Sequence, residues 1–215
     1  VAAGGPVIPL YIRDATVDGI GAAAKWRLGE GLSALAQALD AAGSGLVLRS
    51  GDALEALRAV IAETGAGAVH WNRLYDPDAI ERDSRVKAAL REDGLTAESH
   101  GGHLLFEPWT VSTKQGGPFK VYTPMWRAVR DREVAEPEPS PPRLPAPDGW
   151  PASDRLADWR LGSAMRRGAE VVAAHCLIGE RAANGQLGHF MARIVDGYGA
   201  SRDRVDEDGT SRLSA

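Results

Sequence analysis

Short apolar segments alternate with amphipathic segments through the first hundred residues, and this alternation restricts the fold more than any other feature of the chain. The apolar segments are four to seven residues long and rich in residues that favour β-strands. The amphipathic segments repeat their apolar residues every three or four positions, which is the period of an α-helix. Strands are predicted at residues 6–12, 46–49, 68–71 and 95–100, and helices at 22–42, 52–65 and 76–94.

Strands that alternate with helices through tight connections predict an α/β fold, a Rossmann-like parallel sheet with flanking helices. In such a sheet, ligands bind beyond the carboxyl ends of the strands. Trp71, Asn72 and Arg73 lie at the end of the third predicted strand and combine an indole with amide and guanidinium donors. Because loops at strand ends are polar in any such fold, the residues alone leave a ligand-binding rim and an ordinary loop both open.

A proline-rich segment separates this region from the rest of the chain. Seven of the fifteen residues at 137–151 are proline, a composition that extends the chain and resists helix formation. Beyond it the signals are mainly helical as far as Tyr198. We therefore predict an α/β domain at residues 1–133, an interdomain linker at 134–153 and the helical start of a further domain at 154–215.

Composition and charge place limits on location and partners. The formal net charge is −4, which argues against a chain covered in positive potential. The chain has no run of 18 apolar residues and no signal peptide at its first residues. Its one cysteine, Cys176, cannot form an internal disulfide, which fits a reducing compartment. We expect a monomeric cytoplasmic protein without membrane contact.

Metal-binding and hydrolytic sites find little support in the sequence. His100 and His103 lie three residues apart in a glycine turn, but no acidic or thiol partner shares that stretch. Two ordinary loop histidines are therefore favoured over a metal site. Because no Ser/His/Asp or Cys/His arrangement has a recognisable context, hydrolytic chemistry is not expected either.

The closing stretch of the chain could bind an anion. From Tyr198 onwards it contains an Arg/Asp run, a glycine, and the hydroxyls of Thr210, Ser211 and Ser214 around Arg212. Hydroxyl groups, backbone N–H groups at a helix start and a guanidinium suit a phosphate or diphosphate. Spacing alone favours a simpler interpretation, a helix cap followed by a surface turn.

Several segments, in this order and around the proline-rich linker, resemble the DNA photolyase and cryptochrome family. Residues 4–12 resemble its second strand, and residues 71–75 resemble the rim of its antenna domain. Residues 117–127 resemble the motif before the linker, and residues 179–190 resemble the helix that leads to Tyr198. Residues 198–214 resemble the start of the flavin-binding domain.

The resemblance implies that FAD is held in a helical C-terminal domain and that light-excited reduced flavin donates an electron to a pyrimidine dimer in damaged DNA. It implies that Arg202 faces DNA and that Trp71, Asn72 and Arg73 form the rim of a possible antenna pocket. The family's dimer pocket and electron-transfer residues correspond to sequence beyond Ala215, so no catalytic residue is expected in this chain. The positions that match flavin contacts are Tyr198, Thr210, Ser211, Arg212, Leu213 and Ser214.

The resemblance also bears on the antenna chromophore and on the extent of the chain. Members that use a folate carry Asn followed by Glu on the helix after the third strand, where this chain has Asp78-Ala79. A deazaflavin or flavin antenna is therefore expected before a folate. Residues 1–5 resemble a helix end, so we expect a fragment that begins inside a longer protein and lacks the first strand of its sheet.

Three functions follow from these observations. The first is a fragment of a deoxyribodipyrimidine photolyase, a carbon–carbon lyase whose parent protein repairs DNA while the fragment alone is inactive. The second is a cryptochrome-like blue-light photoreceptor, and the third is a stand-alone nucleotide-binding α/β module.

Overall fold

The computed structural model describes residues 5–213. Within them lie four strands: β1 (Leu10–Arg13), β2 (Val47–Ser50), β3 (Ala68–Asn72) and β4 (Thr96–His100). The α-helices of the same part of the chain are α1 (Ala15–Gly19), α2 (Ala22–Ala41), α3 (Ala53–Thr64), α4 (Pro77–Glu92), α5 (Tyr122–Val129), α6 (Arg167–Ala173), α7 (Glu180–Arg193) and α8 (Tyr198–Ser201).

The predicted α/β class is confirmed, and each strand and helix predicted in the first hundred residues is present. The first strand is shorter than expected: it begins at Leu10, after Pro6 and Pro9, because proline has no N–H to donate to a neighbouring strand. Helix α1 was not predicted. It is a single turn whose cap is Asp14, which accepts a hydrogen bond from the Thr16 N–H at 3.0 Å, and one turn is too short to show a helical period.

The four strands form two parallel pairs. β1 pairs with β2 in the register Leu10↔Val47, and β3 pairs with β4 in the register Ala68↔Thr96. The first pair is connected through α1 and α2 and the second through α4, since parallel strands require a crossover.

The chain divides into two compact units. The first unit runs to Asp52 and resumes at Pro142, and the second unit is Ala53–Pro141. The core of the first unit includes Leu48 of β2 together with Trp159 and Leu161. The region after the proline-rich segment thus packs with the first strand pair, and the domain boundaries predicted from sequence stay a prediction.

The core of the second unit lies between α4 and one face of the β3–β4 pair. Leu90 is fully buried and contacts Val86 of the same helix and Ala97 of β4. Strand side chains alternate between faces, so the other face of the pair carries the exposed residues of the two strands. These are Ala68, His70, Asn72, Thr96, Glu98 and His100.

The proline-rich segment contains no helix or strand among its described residues, but part of it is docked on the first unit. The Leu144 N–H donates to the Ala42 carbonyl at 2.9 Å, and Pro145 accepts from the Val7 N–H at 2.9 Å. Proline lowers the entropy of the free chain, so a few such bonds suffice to fix its path. None of the helices in residues 5–213 has the length and apolar character needed to cross a bilayer.

Candidate functional site

Trp71, the first of the predicted rim residues, faces helix α4 rather than the carboxyl end of its strand. Its indole Nε1 donates to Asp83 Oδ2 at 3.2 Å, and the Lys87 Nζ lies 5.9 Å from its ring centroid. Both partners belong to α4, and Trp71 packs against the core of the second unit. Asn72, its neighbour in β3, lies on the exposed face.

Arg73 connects β4 to the loop that follows it. Its Nη1 donates to the Ser99 carbonyl at 2.6 Å, and its Nη2 donates to Glu107 Oε1 at 2.8 Å. The second oxygen of that carboxylate, Oε2, accepts from the Tyr75 hydroxyl at 2.8 Å. The guanidinium carbon also lies 5.5 Å from the ring centroid of Trp109. We call Arg73, Tyr75, Glu107 and Trp109 the Arg73 cluster.

The hydrogen bonds of the Arg73 cluster shift the pKa of three of its members. The pKa of Glu107 is lowered, chiefly because Arg73 donates to its carboxylate, while burial opposes the shift. The pKa of Tyr75 is raised, chiefly because its hydroxyl donates to the same carboxylate, and that of Arg73 is raised by its bond to Glu107. At neutral pH the cluster therefore holds an ion pair whose guanidinium also lies beside the exposed indole of Trp109.

The lowered pKa of Glu107 predicts how the cluster responds to acid. A carboxyl whose pKa is depressed in the folded state stabilises the fold above its unfolded-state pKa and loses that contribution as the pH falls through the folded-state value. We expect Glu107→Gln to lower the midpoint of thermal unfolding at pH 7. The difference from the wild type should narrow between about pH 5 and pH 3, since the ordinary pKa of glutamate is about 4.3.

The control for this measurement is Glu138→Gln, which changes an exposed glutamate of the proline-rich segment. It should leave the thermal midpoint equal to that of the wild type at pH 7 and throughout the acid range. A constant difference between Glu107→Gln and the wild type across the acid range would contradict the role of the ionised carboxylate.

The closing segment, residues 198–213, folds back on its own first turn. Tyr198 begins α8, and its ring meets Phe190 of α7 edge-on, with centroids 5.7 Å apart and planes at 85°. Gly209 is buried against the Ser201 backbone. This contact brings the stretch that follows Gly209 next to α8.

Arg212 and its neighbours form a charged group at the end of the segment. The Arg212 Nη2 lies 3.2 Å from Asp208 Oδ1, and Asp208 Oδ2 lies 3.0 Å from the His189 Nε2 of α7. Arg212 has a positive φ of 53°, an uncommon conformation for a residue other than glycine. Thr210 and Ser211 are half-buried beside it. Sequence reasoning missed Asp208 and His189 because their pairing joins residues 19 positions apart.

The other predicted residues of this segment lie at its surface. Arg202 is exposed, and its Nε lies 3.6 Å from Asp203. Leu213 is 40% exposed, and its N–H donates to the Ser211 hydroxyl at 3.4 Å. Ser214 lies outside the described residues. The roles of all these residues in flavin or DNA binding stay predictions.

Comparison with known protein families shows which family this chain belongs to. A sequence model described as DNA photolyase matches residues 1–147, more than half of the 215-residue chain. This chain belongs to the DNA photolyase family. The resemblance inferred from the sequence is therefore confirmed.

Curated DNA photolyase relatives are longer than this chain. The deoxyribodipyrimidine photo-lyase of Agrobacterium fabrum is 43% identical over 212 residues, which cover 98% of this chain and 44% of the relative. Cryptochrome-2 of Arabidopsis thaliana is 34% identical over 134 residues, which cover 60% of this chain and 22% of the relative. The chain spans less than half the length of these relatives.

Solved photolyase and cryptochrome structures have the same fold. A bacterial class III photolyase from Agrobacterium tumefaciens superposes with a TM-score of 0.93 at 42% identity, covering 99% of this chain and 44% of that one. A cryptochrome from Synechocystis superposes with a TM-score of 0.76 at 16% identity, covering 99% of this chain and 47% of that one. At that identity the likeness concerns the fold alone.

Proposed function

We propose that the protein containing this chain is a deoxyribodipyrimidine photolyase, a carbon–carbon lyase that uses light to split pyrimidine dimers in DNA. The observation that carries the proposal is the 43% identity to the Agrobacterium fabrum photo-lyase, which extends over 98% of the chain. The likeness therefore includes the closing segment as well as the α/β region. Because the chain covers 44% of that relative, the activity is proposed for the complete protein.

FAD is the cofactor that we propose for the closing segment. The hydroxyls of Thr210 and Ser211 and the guanidinium of Arg212 are donors that suit a diphosphate, and Arg212 is 67% exposed despite its contact with Asp208. Tyr198, held by Phe190, would fix one end of this strip. When bound, reduced flavin excited by light supplies the electron that splits the dimer.

The other contribution that we propose for this chain is binding of damaged DNA. An exposed guanidinium at Arg202 can reach a DNA phosphate, which supports damaged DNA as the partner. A dimer is easier to extrude from the duplex than an intact base pair because it is already poorly paired. Contacts to the backbone beside the lesion would contribute to holding the DNA in place while the dimer is extruded.

We propose that Trp71, Asn72 and Arg73 belong to the rim of an antenna pocket, although Trp71 faces α4 and Asn72 lies on the opposite face of β3. A deazaflavin or flavin is favoured over a folate. At the place where folate-using members have Asn and Glu, Asp78 is exposed and Ala79 is buried. A buried methyl group offers no carboxylate to a ligand. The cation and indole of the Arg73 cluster are compatible with a planar chromophore.

A cryptochrome-like photoreceptor is the second candidate. It is favoured by the 34% identity to the Arabidopsis cryptochrome-2. That likeness covers 60% of the chain, against 98% for the photo-lyase, which is why repair is preferred. A cryptochrome would convert flavin photoreduction into a conformational or binding change.

Location and assembly stay predictions. The single cysteine, Cys176, is exposed, and a free thiol at the surface suits a reducing compartment. We propose a monomeric protein of the cytoplasm.

Repair of a defined lesion tests the proposed function. The full gene product, reduced and supplied with FAD, is incubated with an oligonucleotide that contains one cyclobutane pyrimidine dimer, in blue light and in the dark. We expect the dimer to disappear only in the light. Bound FAD that is photoreduced without any repair would reject the photolyase in favour of the photoreceptor.

A further inference from the structure

Three side chains that commonly bind metal ions lie together on the exposed face of the β3–β4 pair. His70 is the register partner of Glu98, and His100 follows Glu98 by two positions on the same face. All three residues are exposed. The parallel pairing of the two strands fixes the backbone from which these side chains project, so their proximity follows from the register.

The distances between their donor atoms match those around a single metal ion. The His70 Nδ1 lies 3.0 Å from the His100 Nε2 and 3.9 Å from Glu98 Oε2. One donor atom of each residue lies within 4.8 Å of the other two. Ligand atoms of a tetrahedral zinc ion, with bonds of about 2.0–2.1 Å, are roughly 3.3 Å apart. Exposed side chains can make the small rotations that this arrangement requires at little cost.

We propose that His70, Glu98 and His100 bind a divalent transition metal ion, with zinc as the best-fitting ion. Two imidazoles and one carboxylate form a recognised zinc ligand set, and water would complete the tetrahedron at this exposed position. Imidazole nitrogen also disfavours magnesium and calcium, which prefer oxygen ligands. Without a metal, the two rings stack with centroids 5.2 Å apart and share a hydrogen bond.

The sequence points to a different histidine pair. His103 is the histidine nearest to His100 in the chain, and that pair lacks an acidic partner in its stretch. The structure instead brings His100 next to His70, 30 residues earlier. Only the strand register reveals this partner, which is why the sequence predicts no metal site.

Zinc binding to the full gene product tests the proposal. The protein is purified without a polyhistidine tag, freed of metal by dialysis against a chelator, and titrated with zinc in a calorimeter. We expect the double variant His70→Ala/His100→Ala to bind one zinc ion fewer than the wild type. The matched control, His103→Ala, removes an exposed histidine outside the cluster and should retain the full stoichiometry.

A conservative variant covers the case in which the double variant does not fold. Glu98→Gln keeps the size of the side chain but removes the carboxylate charge, and it should weaken zinc binding at this site by at least about ten-fold, the loss typical even for a group that only supports a ligand. Cobalt, used as a spectroscopic substitute, should give the intense visible absorption of a tetrahedral site in the wild type and in His103→Ala, and not in His70→Ala/His100→Ala. Equal zinc stoichiometry and affinity in the wild type, the double variant and Glu98→Gln would overturn the proposal.

Discussion

Replacing Gly209 by alanine is expected to reduce the FAD affinity of the full gene product by about five- to 150-fold. A Cβ at this position would overlap the Ser201 carbonyl oxygen and lie 2.7 Å from its carbon. Both are backbone atoms at the end of α8, so they cannot turn aside as a side chain would. The residues after Gly209 must move instead, and Thr210 and Arg212 are among them. Overpacking of this kind costs typically about 1–3 kcal/mol. Because the displaced residues must return to their native position before FAD binds, we expect this free energy to be lost from binding, which corresponds to an affinity about five- to 150-fold lower.

Gly199→Ala provides the matched control. Gly199 lies inside α8, and apart from its chain neighbours and the backbone of that helix, a Cβ there would meet no atom of residues 5–213 within 4 Å. Alanine also favours a helix over glycine, so this variant should hold as much FAD as the wild type. Flavin absorbance per protein after gel filtration, followed by a fluorescence titration, gives the occupancy and affinity.

The outcomes separate the packing argument from the cofactor proposal. Wild-type affinity in Gly209→Ala would contradict the argument that this contact positions the proposed flavin-binding residues of the closing segment. Absence of FAD from the wild type would instead reject the cofactor proposal. In that case the thermal midpoint of Gly209→Ala, compared with Gly199→Ala, still reports the steric conflict at Ser201.

The regular elements of the second unit could be predicted because their signals are local. Asp76 and Pro77 mark the start of α4 and Gly94 follows its end, as expected from capping preferences. β3 lies between a glycine-containing turn at residues 65–67 and the Asp76-Pro77 pair that opens α4. Each signal lies within a few residues of the element that it specifies, so a single sequence contains it.

The side-chain contacts of the candidate sites could not be predicted in the same way. Glu107 lies in a loop without periodicity, and its partners Arg73 and Tyr75 precede it by more than 30 residues. The pairing of His70 with His100 depends equally on the strand register. Such contacts are products of the tertiary fold. For the closing segment, the family resemblance rather than the residue spacing indicated a flavin-binding function.

Leu90→Ala is expected to lower the free energy of unfolding by about 2–5 kcal/mol, the usual cost of removing a fully buried leucine side chain. Leu90 is 0% exposed and lies between α4 and β4, in contact with Val86 and Ala97. The cavity would open at the centre of the second unit, and the helix that connects β3 to β4 would lose its main anchor. Urea unfolding followed by circular dichroism measures the change.

Ile80→Ala on the same helix tests whether the loss of stability depends on burial of the side chain or on its place in the apolar repeat. Ile80 and Leu90 both belong to the apolar repeat that predicted α4, yet Ile80 is 50% exposed. Its replacement should cost about 1 kcal/mol or less. Hydrogen exchange should also accelerate at the β4 amides in Leu90→Ala and not in Ile80→Ala, because only Leu90 supports the strand. Equal losses of stability in the two variants would mean that α4 is held by its periodic apolar face as a whole and not by the buried contact with β4.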